Sequence, residues 1–564
     1  MDNFKEFNIN KFDFNLDSLD TQQHNLSIKY TNNYPMLYLL TNNKEIYIGE
    51  SANIKQRLKT HLNTKEKGSF KEIFTISNEE FNKSAALHYE SMLIEYAIAD
   101  DKYATITNSN YGQSHNYYQR EVYAEAFEDL WNILYKKKIF NQEYTKIQES
   151  ELFKFSPYKS LNEEQSNLSN EIFSVVENAI TNNRKTVICV SGLAGTGKSI
   201  LALNIVRILS EYMHDDGIIL EDKCLSENII ENNDVKLVVP NNNLLKTYKN
   251  LFSKVSILNK KDVVSPTDFA KNYSKIIIVD EAHRLKKRYA ITNYLSHDNT
   301  NRKLNLGKEG TQLDWIMNNS LVQIFFYDSK QSVLPSDVDN IDFEQLFSKQ
   351  YNELDFDVHK FEIRSQMRVK AGQEYSIYID NILSNNNPSY KEFDNYEFKI
   401  IDDFKTFVEV IKDKNKKFGI SRIISGYAFK WKSKKPDIPD IEIDGIKLYW
   451  NKEVKKISWL DRESSIEEVG SIHTIQGFDL NYTGLIIGND LKYDPVNKKL
   501  IADKNNYYDS KGKMGVNNDK LLEYIINIYQ TLLTRGVYGT YLYICDKNLK
   551  EYLKQYIETY KGSI

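Results

Sequence analysis

Two rhythms of apolar residues alternate along the chain. Unbroken apolar runs at 186–191, 237–239, 276–279 and 321–327 predict strands buried on both faces. The run from Ile200 to Leu209 has helical periodicity. Before residue 150 the pattern changes. Residues 35–40 and 45–49 predict a hairpin about the polar turn 41–44. Helices are predicted at about 51–61, 84–99 and 121–138, while 1–33 carries no clear pattern. The alternation predicts an α/β protein, with a small α+β region before residue 150 and a parallel sheet after it. The polar stretches divide the chain into an N-terminal extension (1–33), a first domain (34–145), a linker (146–160) and the remainder from 161 onward.

Chemistry enters where the run 186–191 meets the helix that follows. The junction reads Gly192-Leu-Ala-Gly-Thr-Gly-Lys-Ser199. Gly192, Gly195 and Gly197, with Thr196 between, let successive amides turn inward around a phosphate, and the helix N-terminus adds its dipole. Lys198 would reach the β- and γ-phosphates, and the Ser199 hydroxyl would hold Mg²⁺. The run 276–279 ends in Asp280-Glu281-Ala-His283. A parallel sheet places its ligands at such carboxyl ends. Asp280 would hold Mg²⁺ through water, and Glu281 would orient and deprotonate the attacking water. The pair predicts a site for a nucleotide's phosphates and Mg²⁺.

The first domain carries a second constellation. Ile54, Arg57, Leu58 and His61 share one helix face. Glu90 falls inside the stripe of Leu87, Leu93, Ile94, Ala97 and Ile98, and a carboxylate there needs a cation, a donor or a metal. Tyr38, Tyr47-Ile-Gly49, Arg57, His61, Glu90 and Asn108, in this order and spacing, resemble the GIY-YIG endonuclease family over residues 34–112. Met36-Leu-Tyr38 stands where Gly-Ile-Tyr is usual. The resemblance implies that Glu90 holds one divalent cation, Mg²⁺ or Mn²⁺, acting as Lewis acid on the scissile phosphate. Tyr38 or Tyr47 would help deprotonate water, which requires a nearby cation because a free phenol titrates near 10. Arg57 would bind the phosphate, His61 would share the proton transfers, and Asn108 would be structural.

Downstream motifs resemble a superfamily-1 helicase motor over residues 161–548, and more narrowly the bacterial helicase-like family related to Schlafen helicase domains. Gln165 would recognise adenine. Gln331, in Asp328-Ser-Lys-Gln331, would sense the γ-phosphate. Arg368, in Phe361-Glu-Ile-Arg-Ser-Gln-Met-Arg368, fits the arginine motif better than Arg364. His473 and Gln476 would couple nucleotide to nucleic acid, and Arg535 would act as an arginine finger. Segments starting at 241 and 264 fit nucleic-acid contacts or plain connections equally. The run Lys430–Lys435, with Trp431 among its bases, could stack on a single strand but fits a solvent loop better. The resemblance implies two RecA-like parallel-sheet domains, at 161–355 and 356–564, with ATP between them. The function implied is an ATP-dependent DNA helicase or translocase with a metal-dependent endonuclease, acting in defence against foreign DNA or in repair. An ATP-gated nuclease switch and an RNA-directed nuclease–helicase are the alternatives.

Composition narrows this picture. Net charge is −4, so nucleic acid, single-stranded or branched DNA with RNA still open, must be held by local basic patches. Cys189, Cys224 and Cys545 lack metal-ligand spacing and suggest a reducing, cytoplasmic setting. No apolar run approaches membrane-spanning length, so no membrane partner is expected.

Overall fold

The computed structural model describes residues 6–15, 33–63, 67–108, 117–213, 230–231, 234–338, 341–344, 356–432, 438–450, 459–460, 462–475 and 478–562. It separates into two compact units: residues 1–177, 199–237 and 242–264 form the first, and 178–198, 238–241 and 265–564 the second.

The first unit is built on a five-stranded sheet in the order Asn8–Asp13, Glu72–Ser77, Met36–Thr41, Glu45–Ser51, Thr105–Ile106. All pairs are antiparallel except the last. The hairpin is found as expected. Two strands were not. Asn8–Asp13 lies in the expected extension and is an exposed edge strand, so its polar sequence gives no alternation to read. Glu72–Ser77 is buried along nearly its whole length because both its neighbours are strands. Helix Ile54–Leu62 is capped by Asn53, and Lys83–Ala99 by Asn82, whose side chain accepts from the Ala85 amide at 2.8 Å. Helix Arg120–Lys136 buries Phe127, Leu130, Trp131 and Leu134.

The expected linker 146–160 is part of the packed unit. Helices Tyr144–Glu149 and Glu151–Lys154 cross it. Tyr144 stacks on Tyr96 (centroids 5.1 Å apart), and Phe153 meets the same ring edge-on at 4.6 Å. Helix Asn242–Lys254 belongs to this unit as well. Lys254 Nζ donates to the carbonyls of Asp100 (3.3 Å) and Tyr103 (3.4 Å). Ile106, in the last strand of the sheet, forms a parallel bridge to Val255.

In the second unit, strands Asp357–Ile363, Thr186–Gly192, Ser320–Tyr327 and Ser274–Val279 lie side by side in that order, all parallel. The expected boundary at 355/356 falls one strand early, since Asp357–Ile363 pairs with the strand that leads into the glycine-rich loop. It is an edge strand with mostly half-exposed residues, which its sequence does not distinguish from a domain start. The remaining chain forms an eight-stranded sheet ordered Ile441–Ile443, Ile446–Trp450, Glu468–Gly470, Ser421–Ser425, Leu480–Ile487, Gly536–Ile544, Glu397–Ile400, Glu558–Thr559. Only its first pair is antiparallel. This is the α/β class expected. No described helix is long and apolar enough to cross a membrane.

Candidate active sites

The first site gathers on the five-stranded sheet. Tyr38 lies opposite Gly49 in the strand register. Its ring covers that glycine so closely that a Cβ at 49 would stand 2.4 Å from a ring carbon, which is why no larger residue fits there. Tyr38 Oη is 2.7 Å from His61 Nε2, and Arg57 Nε donates to the same hydroxyl at 3.4 Å. The Tyr47 ring lies 5.2 Å from the His61 ring, with Lys67 Nζ 3.3 Å from its centroid. The structure thus brings Tyr38, Tyr47, Arg57 and His61 together. Asn108 is structural: its amide accepts from the Ile48 amide (3.1 Å) and donates to the Ile48 carbonyl (2.5 Å).

Among the chain's own groups, Arg57 does not bring either phenol toward neutrality. Burial, then the neighbouring Tyr47, pushes Tyr38 upward, and Arg57 only partly opposes this. Burial, then Glu90, raises Tyr47. Burial, assisted by Lys67 and Arg57, instead pulls His61 down to about 3, so its imidazole stays uncharged at neutral pH. A stability test follows. Below its ordinary value of 6.5 the unfolded chain protonates His61 while the folded chain does not, so stability is present above that value and lost as pH falls toward 3. His61→Gln keeps an acceptor for Tyr38 without this linkage. Between pH 7 and pH 5 the urea stability of the variant should improve relative to the parent by roughly 1 kcal/mol, after discounting for solvent screening. An unchanged difference would refute the assignment.

Glu90 is half-buried on helix Lys83–Ala99. Burial, then the adjacent Glu50, pushes its carboxyl up to about 8, with Lys83, Arg57 and a hydrogen bond from the Glu50 amide opposing. Glu50 was missed in the sequence, although it directly follows Tyr47-Ile-Gly49. Its side chain is 3 % exposed and pairs through Oε2 with Lys83, while Oε1 is buried with no hydrogen-bond partner. Among the described residues no three or more His, Cys, Asp or Glu cluster as a metal cage. Two adjacent acids with an orphaned oxygen nevertheless fit a hard cation that completes its shell with water and substrate oxygens.

The second site lies within the second unit. Gly195 and Gly197 hold φ of +86° and +79°, where glycine is unstrained. Lys198 Nζ donates to the carbonyls of Gly192 (2.6 Å) and Leu193 (2.8 Å) and lies 3.7 Å from Asp328 Oδ2. Thr196 Oγ1 donates to the Leu193 carbonyl at 2.9 Å. The loop is braced from outside: Gln366 Nε2 donates to the Ala194 carbonyl (2.9 Å) and the Met367 amide to the Gly195 carbonyl (2.8 Å).

Asp280 is buried and accepts from the Glu281 amide at 3.0 Å. Glu281 has φ of +56°, uncommon for a side-chain-bearing residue. Its Oε2 lies 2.9 Å from His283 Nε2, while His283 Nδ1 accepts from the Asp328 amide at 3.3 Å. Asp328 in turn accepts from Gln331 Nε2 at 2.8 Å. One chain of polar contacts therefore joins Glu281, His283, Asp328 and Gln331. Burial opposes the charge of Glu281, but His283, Arg284 and Lys198 outweigh it and hold its carboxyl well below the usual range. Such a carboxylate suits orienting water more than deprotonating it.

Arg368 Nε bonds Asp479, and Arg535 Nη1 donates to the Phe478 carbonyl at 3.3 Å. Arg535 is 3 % exposed. Burial, then Arg368, pulls it down to about 9, with Asp479 and Glu281 opposing. Arg535 Nε and Arg368 Nη1 are buried with no hydrogen-bond partner. Leaving such donors unmade is costly, so this is a place for an anion. Arg364 is exposed and pairs with Glu362 at 2.8 Å, which separates it from Arg368. Gln165 is placed in the other unit, buried, exchanging bonds with Asn162 as a reciprocal helix cap. Ser199 also counts with that unit and lies at the start of helix Lys198–Met213. His473 packs beside Tyr427 at 5.8 Å. Gln476, Cys224, Lys65 and Ser433–Lys435 lie outside the described residues.

A glycine-rich phosphate loop on a parallel sheet, followed by a second parallel sheet supplying arginines, defines a helicase-type nucleotide-binding protein. The tyrosine–histidine–carboxylate site adds a nuclease domain. The chain belongs to the Schlafen group 3, DNA/RNA helicase domain family, whose pattern matches residues 185–546, and carries a GIY-YIG catalytic domain at residues 34–103. It is therefore a nuclease–helicase that binds nucleotide and nucleic acid. Uncharacterized protein YPL245W of Saccharomyces cerevisiae (strain ATCC 204508 / S288c) is 28% identical over 433 residues, 70% of this chain and 90% of that protein. Among solved structures, arterivirus nonstructural protein 10, a helicase, is 12% identical with a TM-score of 0.28, covering 67% of this chain and 63% of that one. Pif1 helicase from Bacteroides, solved with ADP-AlF3 and ssDNA, is 13% identical with a TM-score of 0.26, covering 68% and 92%.

Proposed function

We propose that ATP hydrolysis at the Lys198–Glu281 site drives the chain along DNA and licenses metal-dependent cleavage at the Glu90 site, in defence against foreign DNA or in repair. One observation supports coupling above others. The nuclease sheet runs on through Ile106 to Val255, and Lys254 caps the Asp100 and Tyr103 carbonyls, so nuclease and helix Asn242–Lys254 form one compact unit. A shift of that helix during the ATP cycle would be felt at the nuclease sheet.

At the motor site, Lys198 leaves its own loop carbonyls to meet the β- and γ-phosphates. Arg368 and Arg535 offer their unpaired N–H groups to the charge developing on the γ-phosphate. Glu281, positioned by His283, orients the attacking water, and Gln331 reports the γ-phosphate to Asp328. Mg²⁺, with Asp280 among the residues that would hold it, would neutralise phosphate charge. At the nuclease site, a divalent cation at Glu90 would supply Lewis-acid chemistry. Tyr38, linked to His61 at 2.7 Å and to Arg57 at 3.4 Å, would orient the attacking water, whose proton passes on to solvent because neither the raised phenol nor His61, pulled down to about 3, can keep it. The exposed Arg57 binds the scissile phosphate.

The test is cleavage of plasmid and branched DNA in Mn²⁺, with and without ATP, by the parent chain and Glu281→Gln. Stimulation by ATP that the variant loses is expected. Suppression of cleavage by ATP would establish the gated-switch alternative, and preferential cutting of RNA would overturn the DNA assignment.

A further inference from the structure

We infer that Glu50 is a second protein ligand of the nuclease cation, so that the metal is held by a Glu50–Glu90 carboxylate pair. The inference rests on reading Glu90 as a metal-holding residue. Its own basis is independent of that reading. Glu50 ends the strand that carries Tyr47 and Gly49, and its side chain is 3 % exposed. One carboxylate oxygen is satisfied by Lys83; the other, Oε1, is buried without any hydrogen-bond partner. Glu50 is also the charge that raises the Glu90 carboxyl most strongly after burial, as expected of two neighbouring acids. A buried carboxylate oxygen beside another carboxylate is doubly unfavourable, through lost hydration and through like-charge repulsion.

The surrounding cations relieve this only in part. Lys83 is mostly solvated and already occupied with Oε2, and Arg57 is exposed and directed to the Tyr38 hydroxyl. A divalent cation between the acids removes both penalties at once. It also gives the exposed Lys83 a role: with the site empty, its ammonium offsets part of the charge of the pair, and it can yield to the metal without unfolding anything. Two carboxylates are what Mg²⁺ and Mn²⁺ use when they retain waters and take substrate phosphate oxygens as the remaining ligands.

The experiment titrates the nucleotide-free full chain with Mn²⁺, read by electron paramagnetic resonance of free Mn²⁺ and by the Mn²⁺-induced rise in melting temperature. Glu50→Gln, which keeps shape and a donor–acceptor amide, should bind on the order of tenfold more weakly or worse. Lys83→Met, which removes the competing cation, should bind at least as tightly as the parent. Unchanged affinity in Glu50→Gln would overturn the inference. So would equal weakening in Lys83→Met, because the ion pair rather than the free oxygen would then matter. Glu90→Gln separates the two layers: if it alone loses Mn²⁺, only the role of Glu50 falls, whereas if it binds Mn²⁺ normally the nuclease-site reading itself falls.

Discussion

Glu90→Gln is expected to abolish DNA cleavage while leaving nucleotide binding at Lys198 intact. The substitution keeps the volume of a half-buried side chain and removes the charge that would hold the cation. A metal acting on a phosphoryl oxygen supplies several kcal/mol of transition-state stabilisation. At about 1.4 kcal/mol per tenfold, its loss corresponds to a fall in rate on the order of 10³. The measurement is single-turnover cleavage of plasmid DNA in saturating Mn²⁺. Neutralising Glu90 also removes the repulsion from Glu50, so the variant should melt at or above the parent temperature in metal-free buffer. A stable variant that still cuts would dismiss Glu90 as the metal-holding residue.

Lys198→Ala carries the second large effect. Its ammonium makes two bonds to loop carbonyls and faces the buried Asp328, and hydrolysis requires it on the phosphates. Removing one charged donor at such a site costs about 3–4 kcal/mol, or roughly 10²–10³ in turnover. Nucleic-acid-stimulated phosphate release is the assay. Because the nuclease residues lie in a different sheet, Mn²⁺-dependent cutting of a substrate that needs no translocation should persist in this variant. Retained ATPase activity would dismiss the nucleotide site. Loss of all cutting would instead mean that nucleotide turnover is obligatory for the nuclease.

Much of the architecture could be read in the chain before folding. The β-branched run ending in Asp280-Glu281 and the glycine loop ending in Lys198 are local signals, because burial on both faces and close phosphate approach each demand particular residues in consecutive positions. The hairpin carrying Tyr38 and Tyr47 is local for the same reason. What escaped was set at long range. Asn8–Asp13 becomes a strand only because Glu72–Ser77 offers it an edge, and Asp357–Ile363 joins the first parallel sheet only because Thr186–Gly192 has an edge free. The Tyr38–His61 bond, the orphaned N–H groups of Arg368 and Arg535, and the pairing of Glu50 with Glu90 arise between segments 23 to 167 residues apart, and no local pattern encodes them. Residue types and spacing thus determined which chemistries the protein carries. Tertiary packing decided how they are tuned: burial raised the phenols, kept His61 uncharged and left a carboxylate oxygen beside Glu90 without a partner, because desolvation acts only once distant segments have closed around a group.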